Sequence, residues 1–284
     1  MNSINYVSNP VDNQGYVHWS AVENSTWSEL IKQHHEIMQS RACTEFVSGL
    51  NILNYSDHHI PQIPDVNERL SHYSGWEVAP VAALIQPKEF FTLLAHKKFP
   101  AATFIRSPQA LDYLQEPDIF HEIYGHTPLL TNQKYADFMQ RFGELALIIA
   151  AKDRSRLFRL FWFTIEFGLL NTDAGLRAYG GGILSSTGEM LSCFTDRVKT
   201  QTFDALNVLR TSYRIDIMQP VYFVIDSFDD LFKILDQDIQ SLLQESKELG
   251  DFSPRYRPKL ALKSSTSKTL AEKNEENHHS KRGH

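Results

Sequence analysis

Positive charge is in short supply. Lysine and arginine number 28 against 34 aspartates and glutamates, a formal net charge of −6. A general nucleic-acid binder needs a basic face to displace counterions from phosphate, so that class is disfavoured. Cysteine is scarce as well. Cys43 and Cys193 stand far apart and form neither a CxxC ligand pair nor a framework of bridges, which points to a reducing compartment. Long apolar runs are missing: the stretches at 145–151 and 160–165 are far too short to span a bilayer. Residues 1–24 are polar, carry Asp12 and Glu23, and lack the uninterrupted apolar segment of a secretion signal. These absences predict a soluble, cytoplasmic protein with no membrane or nucleic-acid partner.

What the chain does have is core-forming material. Its 284 residues are 42% hydrophobic and 12% aromatic, enough for one large domain or two small ones. Residues 1–24, with Pro10 and Gly15, read as an irregular arm. Thr26 and Glu29 form a T-x-x-E capping box that opens a helix reading through Ile37 to Leu50. The prolines of IPQIPDV (60–66) enforce an extended or turn conformation, and Asp65 is placed to cap the next helix. WEVAPVAAL and ATFIR are the strand candidates, around a helix starting near Pro87. Phe138, Phe142, Leu145 and Ile149 make one helical stripe, and Phe158, Phe161, Trp162, Ile165 and Leu169 another. AYGGGILSSTGEM (178–190) is a glycine-rich loop entering a helix; without GK[ST] it is no phosphate loop. A strand pair or loop near 210–225 precedes a last helix from Phe228 to about Leu249. Residues 263–284 have no aromatic and almost no apolar side chain, which predicts a disordered polar tail. The expected fold is mainly α with a few short β-strands, folded over residues 25–262.

PDIFHEIYGHTPLL (117–130) poses a geometric problem. His121 and His126 are five residues apart, with Glu122 after the first. Positions i and i+4 differ by about 40° around an α-helix and can share a metal, whereas i and i+5 differ by about 140° and cannot. The zinc-peptidase reading therefore fails on spacing. Gly125 and Pro128 leave room for a helix that ends, widens or bends, so that both imidazoles converge. Glu166, within the apolar LFWFTIEFGLL (160–170), offers a third ligand, since an unpaired carboxylate there would be costly to bury. Two histidines and one carboxylate form the facial triad of non-haem iron(II) enzymes that activate dioxygen. On spacing alone, two helix histidines and a surface glutamate remain the plain alternative.

The motifs themselves narrow the choice. PDIFHEIYGHTPLL, WFTIEFGL and AYGGGILSSTGE resemble, in order and spacing, the PDxxHExxGHxPL, WFTxEFGL and AYGxGLLSSxGE of the aromatic amino acid hydroxylases. The likeness extends from TWSELIK near Trp27 through IPQIPDV and PVAALI to QPVYFVIDSF (219–228) and the SPRY near 253. It implies the catalytic-domain fold of that family, iron(II) held by His121, His126 and Glu166, and tetrahydrobiopterin or a related tetrahydropterin as cosubstrate. By the same resemblance Ser185 orients His121 and takes part at the substrate site, although a helix-cap hydroxyl is its plain alternative. Arg106 holds the substrate carboxylate; its plain alternative is a surface arginine at a strand end. Trp162 and Phe167 line the aromatic pocket, Phe90 stacks on the pterin, Ala83, Leu84 and Ile85 contact the pterin edge, and Glu122 lies close to pterin and iron.

Some positions depart from the animal members. Leu114 replaces a threonine near the substrate amino group, and Pro100 a histidine that approaches the pterin. No regulatory domain or tetramer-forming helix is read, so the expectation is a bacterial-type monomer or homodimer. Trp162 stands where tryptophan-specific members tend to have phenylalanine, and Ile215 where tyrosine-specific members carry aspartate. A pocket without a polar partner disfavours a phenolic hydroxyl. The expected reaction is therefore hydroxylation of L-phenylalanine to tyrosine with dioxygen. The rivals are hydroxylation of tryptophan and a non-catalytic metal-binding role.

Overall fold

Two capping-box signatures lie in succession near the start of the chain, and the earlier one opens the first helix. In the computed structural model, which describes residues 6–83, 85–111 and 116–256, α1 spans Ala21–Met38 behind Ser20. The Glu23 amide donates to Ser20 Oγ at 3.3 Å and the Ser20 amide returns a bond to the Glu23 carboxylate at 2.7 Å. Thr26, expected as the cap, is buried one turn inside, its hydroxyl donating to the Val22 carbonyl at 2.9 Å. Leu84, Leu114 and the 263–284 tail lie outside the described residues.

The expected run to Leu50 is also broken, because α2 (Thr44–Leu53) starts afresh. The break is a tertiary bridge: the Cys43 amide donates to the Ala178 carbonyl and the Ala178 amide to that of Arg41. Next, α3 (Ile63–Ser74) begins before Asp65, which sits in its first turn and not at its cap. The N-cap is Gln62, whose side chain instead pairs with both backbone groups of Val17 in the arm.

Strands β1 (Glu77–Val81) and β2 (Lys98–Ala102) flank α4 (Pro87–Ala95) and pair in parallel. The expected strand ATFIR begins where β2 ends. Pro100, opposite Ala79, is tolerated because a two-stranded ribbon leaves each strand a free edge. A π-helical turn, Phe120–His126, then runs into α5 (Thr127–Leu130) and α6 (Gln133–Ile148). Helix α7 (Arg154–Phe161) passes directly into a second π-turn, Trp162–Glu166.

A second sheet is built from β3 (Gly168–Thr172), β4 (Gly175–Ala178), β5 (Lys199–Thr202) and β6 (Val221–Ile225), in the order β4-β3-β6-β5. Between β4 and β5 lie α8 (Gly181–Leu184) and α9 (Thr187–Ser192), and α10 (Ala205–Arg210) comes before β6. The expected last helix is two, α11 (Asp229–Leu235) and α12 (Ile239–Leu249), because Asp238 caps the second by accepting from the Ser241 amide.

The fold is mainly helical with short strands, and its centre is aromatic. Phe91 of α4, Phe138 and Phe142 of α6 and Phe161 of α7 are all buried, each contributing roughly 1.5–3 kcal/mol by leaving water. Helix α4 lies close on α6 because Gly143 has no side chain: a Cβ there would stand 2.6 Å from the Ala95 amide nitrogen. Phe142 of α6 and Phe161 of α7, ring centroids 5.5 Å apart, join the helices next to the two π-turns. Among the described residues, no helix is long and apolar enough to cross a membrane.

Candidate active site

The histidine spacing is resolved by the widened turn. Hydrogen bonds that close over five residues bring positions i and i+5 nearly into line, as an α-helix does for i and i+4. The same device shapes the second segment, where the Phe167 amide donates to the Trp162 carbonyl at 2.9 Å. As a result His126 Nε2 lies 3.2 Å from His121 Nε2, and Glu166 Oε2 lies 3.5 and 3.4 Å from the two nitrogens. Atoms bound about 2.1 Å from one ion stand about 3.2–3.5 Å apart when the angles at the ion are about 100–110°. The three side chains therefore fit a metal ion, and among the described residues they are the cluster able to hold one.

Local bonds settle the state of His121. The Ser185 hydroxyl donates to the Gly181 carbonyl at 2.8 Å, so its oxygen accepts from His121 Nδ1–H, also at 2.8 Å. The lone pair then sits on Nε2, facing His126 and Glu166. Burial lowers this imidazole to about 4, which keeps it neutral. Burial pushes the Glu166 carboxyl up, but its interactions with His126, a hydrogen bond among them, outweigh that and hold Glu166 below the usual carboxylate range. A neutral imidazole beside an ionised carboxylate is the state in which these groups bind metal. Around them the walls are tight. Phe99, delivered by β2, packs on His126 with centroids 4.9 Å apart, and a Cβ on Gly181 would lie 2.3 Å from the His126 ring.

Arg106 is buried, which excludes the surface alternative. Its Nε and Nη2 donate to the two oxygens of Asp118 at 2.8 and 2.9 Å, and Nη1 donates to the Leu111 carbonyl at 3.2 Å. Three of its five N–H groups are thus engaged inside the protein. Burial pushes the Asp118 carboxyl up, but Arg106 wins and holds it below the usual range. Asp118 also accepts from the His121 amide at 3.0 Å, so one carboxylate ties the arginine to the first π-turn.

Comparison with known proteins places this geometry in a family. Residues 3–257 match the biopterin-dependent aromatic amino acid hydroxylases. A phenylalanine-4-hydroxylase of Pseudomonas aeruginosa is 46% identical over 92% of this chain and 100% of its own length. A solved phenylalanine hydroxylase of Legionella pneumophila is 49% identical, with a TM-score of 0.87 over 88% of this chain and all of its own. The Chromobacterium violaceum enzyme, solved with iron(III) and 7,8-dihydrobiopterin, is 36% identical with a TM-score of 0.81, covering 88% of this chain and 93% of its own. The chain is a biopterin-dependent aromatic amino acid hydroxylase.

Other hydroxylase residues expected from sequence fall into place unevenly. Trp162 stacks on Tyr213, centroids 4.2 Å apart at 16°, and leans on Phe167 at 4.6 Å, forming an aromatic wall on the turn that carries Glu166. Glu122 lies on the first π-turn; burial pushes its carboxyl well above the usual value, with Glu166 and Asp118 adding to the effect. Ala83 and Ile85 are half-buried between β1 and α4. Phe90 is half-buried, meeting the rings of Phe91, Phe158 and Phe161 at the edge of the aromatic core. Ile215 is 50% exposed, so an aspartate there would be hydrated, and the specificity argument passes to Trp162.

Sequence reading gave no role to Asp118, Glu189 or Gln219. The signal for Asp118 was its place three residues before His121, the offset of a side chain that caps a turn. Glu189 is buried, accepting from the Gln219 amide at 3.0 Å and from the Tyr222 hydroxyl. Burial raises its carboxyl from 4.5 to about 7. Folding thus favours the protonated acid, a contribution that is full below the unfolded value and lost as pH rises through about 7. Glu189→Gln, which mimics that acid, is expected to gain on the parent by about 2 kcal/mol between about pH 5 and pH 8. Melting curves at both pH values check this; a pH-independent gap in Tm would mean that Glu189 titrates normally.

Proposed function

We propose that the chain hydroxylates L-phenylalanine to L-tyrosine with dioxygen and a tetrahydropterin, using iron(II) held by His121, His126 and Glu166. The observation that carries the reading is the convergence of two imidazole nitrogens and an ionised carboxylate from two π-turns. Bound iron would supply the oxygen-activating redox chemistry, and the protein orients the reactants and excludes water.

Each remaining residue has a task in that scheme. Ser185 holds the His121 ring. Arg106, itself fixed by Asp118, presents its outer N–H groups to the amino acid carboxylate. Trp162 and Phe167 receive the substrate ring. Ala83, Leu84 and Ile85 meet the pterin edge, Phe90 stacks on its face, and the Glu122 carboxyl, which burial pushes well above its usual value, lies close to pterin and iron. The same reading places a monomer or homodimer in the cytoplasm, in keeping with the two buried free thiols, Cys43 and Cys193.

The test is direct. Iron-loaded protein with tetrahydropterin and air is expected to convert phenylalanine to tyrosine, and no tyrosine above the metal-free blank would overturn the reading. Phenylalanine is expected to exceed tryptophan in kcat/KM by at least about tenfold, a common worth for a fitted apolar pocket. Trp162→Phe should narrow that ratio by opening room for a larger ring. Equal or better use of tryptophan by the parent would refute the pocket assignment.

A further inference from the structure

Residues 211–220 contain no helix or strand, yet a buried glutamine ties two of their carbonyls together. Gln219 is 2% exposed, and both ends of its side-chain amide are engaged. Its Nε2 donates to the carbonyls of Arg214 at 2.9 Å and Ile217 at 3.0 Å, while its Oε1 accepts from the Trp162 indole N–H at 3.1 Å. Its backbone amide is anchored on Glu189, whose other oxygen takes the Tyr222 hydroxyl of β6. The clipped loop supplies Tyr213, stacked on the face of the same indole. Trp162 is thus gripped twice by one loop, by its edge through Gln219 and by its face through Tyr213.

We propose that Gln219 is a positioning residue that sets the plane of the Trp162 indole and thereby the fit of the pocket to the substrate ring. The inference rests on the reading that Trp162 lines that pocket. A tryptophan on a π-turn has a backbone set by the metal ligand Glu166, but its two side-chain torsions remain free to turn. Stacking on Tyr213 is tolerant of sliding, since offset arrangements differ little in energy. The directed bond from the indole N–H to an amide that is itself fixed by two carbonyls removes that freedom. Without it the indole N–H and two loop carbonyls lose their partners together, and the loop and ring relax as one unit.

A purely structural glutamine would lower Tm and leave substrate binding alone, so the test is a double-mutant cycle. Gln219→Met, similar in length but unable to make these bonds, is combined with Trp162→Phe. Steady-state kinetics, Tm and calorimetric phenylalanine affinity of the iron-loaded protein under argon are measured. In the parent background Gln219→Met is expected to raise the phenylalanine KM and Kd by about tenfold, with kcat changed less than about twofold. With Trp162→Phe already present, it is expected to add less than about twofold. Additive effects, or a lower Tm with unchanged Kd, overturn the proposal while leaving the pocket assignment standing. An unchanged Kd in Trp162→Phe alone removes the pocket assignment, and the proposal with it. If Gln219→Met does not fold, Gln219→Asn, one carbon too short to reach the indole, enters the same cycle with the same expectations.

Discussion

His126→Ala is expected to emerge from iron loading with no bound metal and no tyrosine-forming activity, while the parent holds one iron per chain. The reason lies in the ligand atoms. Two nitrogens and one oxygen sit 3.2–3.5 Å apart, and removing one leaves a pair that cannot compete for a weakly bound divalent ion. Affinity should fall by well over about 100-fold, since even residues that merely orient a ligand are worth about 10–100-fold. Glu166→Ala should behave alike. The fold should survive in both, because the aromatic core lies in α4, α6 and α7. Elemental analysis and a melting curve on the same sample decide the matter. Parent-level iron in folded His126→Ala would remove the triad. Zinc should fill the same ligands and give a stable, inactive protein, having no accessible redox change.

Arg106→Lys is the second substitution with a large expected effect, and its buried partner sharpens the forecast. Lysine keeps a charge for Asp118 but cannot meet both carboxylate oxygens and still face a ligand. We expect the phenylalanine KM to rise steeply, with a loss in kcat/KM worth about 2–5 kcal/mol, and the pterin KM to change much less. Stability should drop too, because the Asp118 carboxylate loses part of its pairing in a buried setting. Varying each substrate in turn separates the roles. Equal effects on both would show that Arg106 serves only to hold Asp118, and an unchanged phenylalanine KM would mean that another group takes the carboxylate.

Much of the site was legible because its chemistry is unusual for its surroundings. Two histidines at a spacing no α-helix accommodates, and a glutamate inside an apolar stripe, both demanded an explanation, and the π-turns supply it. Element boundaries were less legible, and for reasons that differ by place. Ser20 and Thr26 carry the same signature, and which one caps depends on burial of the second. The break between α1 and α2 is made by Ala178, far along the chain, so no local pattern could announce it. Strand β2 was misplaced because Pro100 argues against a strand unless the ribbon is known to have a free edge. Phe90 was placed at the pterin by likeness alone, and its contacts with Phe158 and Phe161 of α7 are ones that only the fold brings together.

The first π-turn also constrains how this chain can change in length. A π-turn is an α-helix carrying one residue more than its turns require. Between His121 and His126, side chains can be exchanged, but their number is fixed by the seating of α5. Deleting one residue would return the imidazoles to the four-residue spacing that a regular helix aligns, so the ligand pair itself could survive. Everything beyond would then rotate by about 100° and retreat by about 1.5 Å. Thr127, Pro128, Leu129 and Leu130, all buried, would leave their seats. Pro128 has the least room, since α2 passes so near that a Cβ on Gly49 would fall 2.0 Å from its carbonyl oxygen. The segment is thus a ruler as much as a ligand bearer: a frame-preserving deletion there would be more damaging than most substitutions.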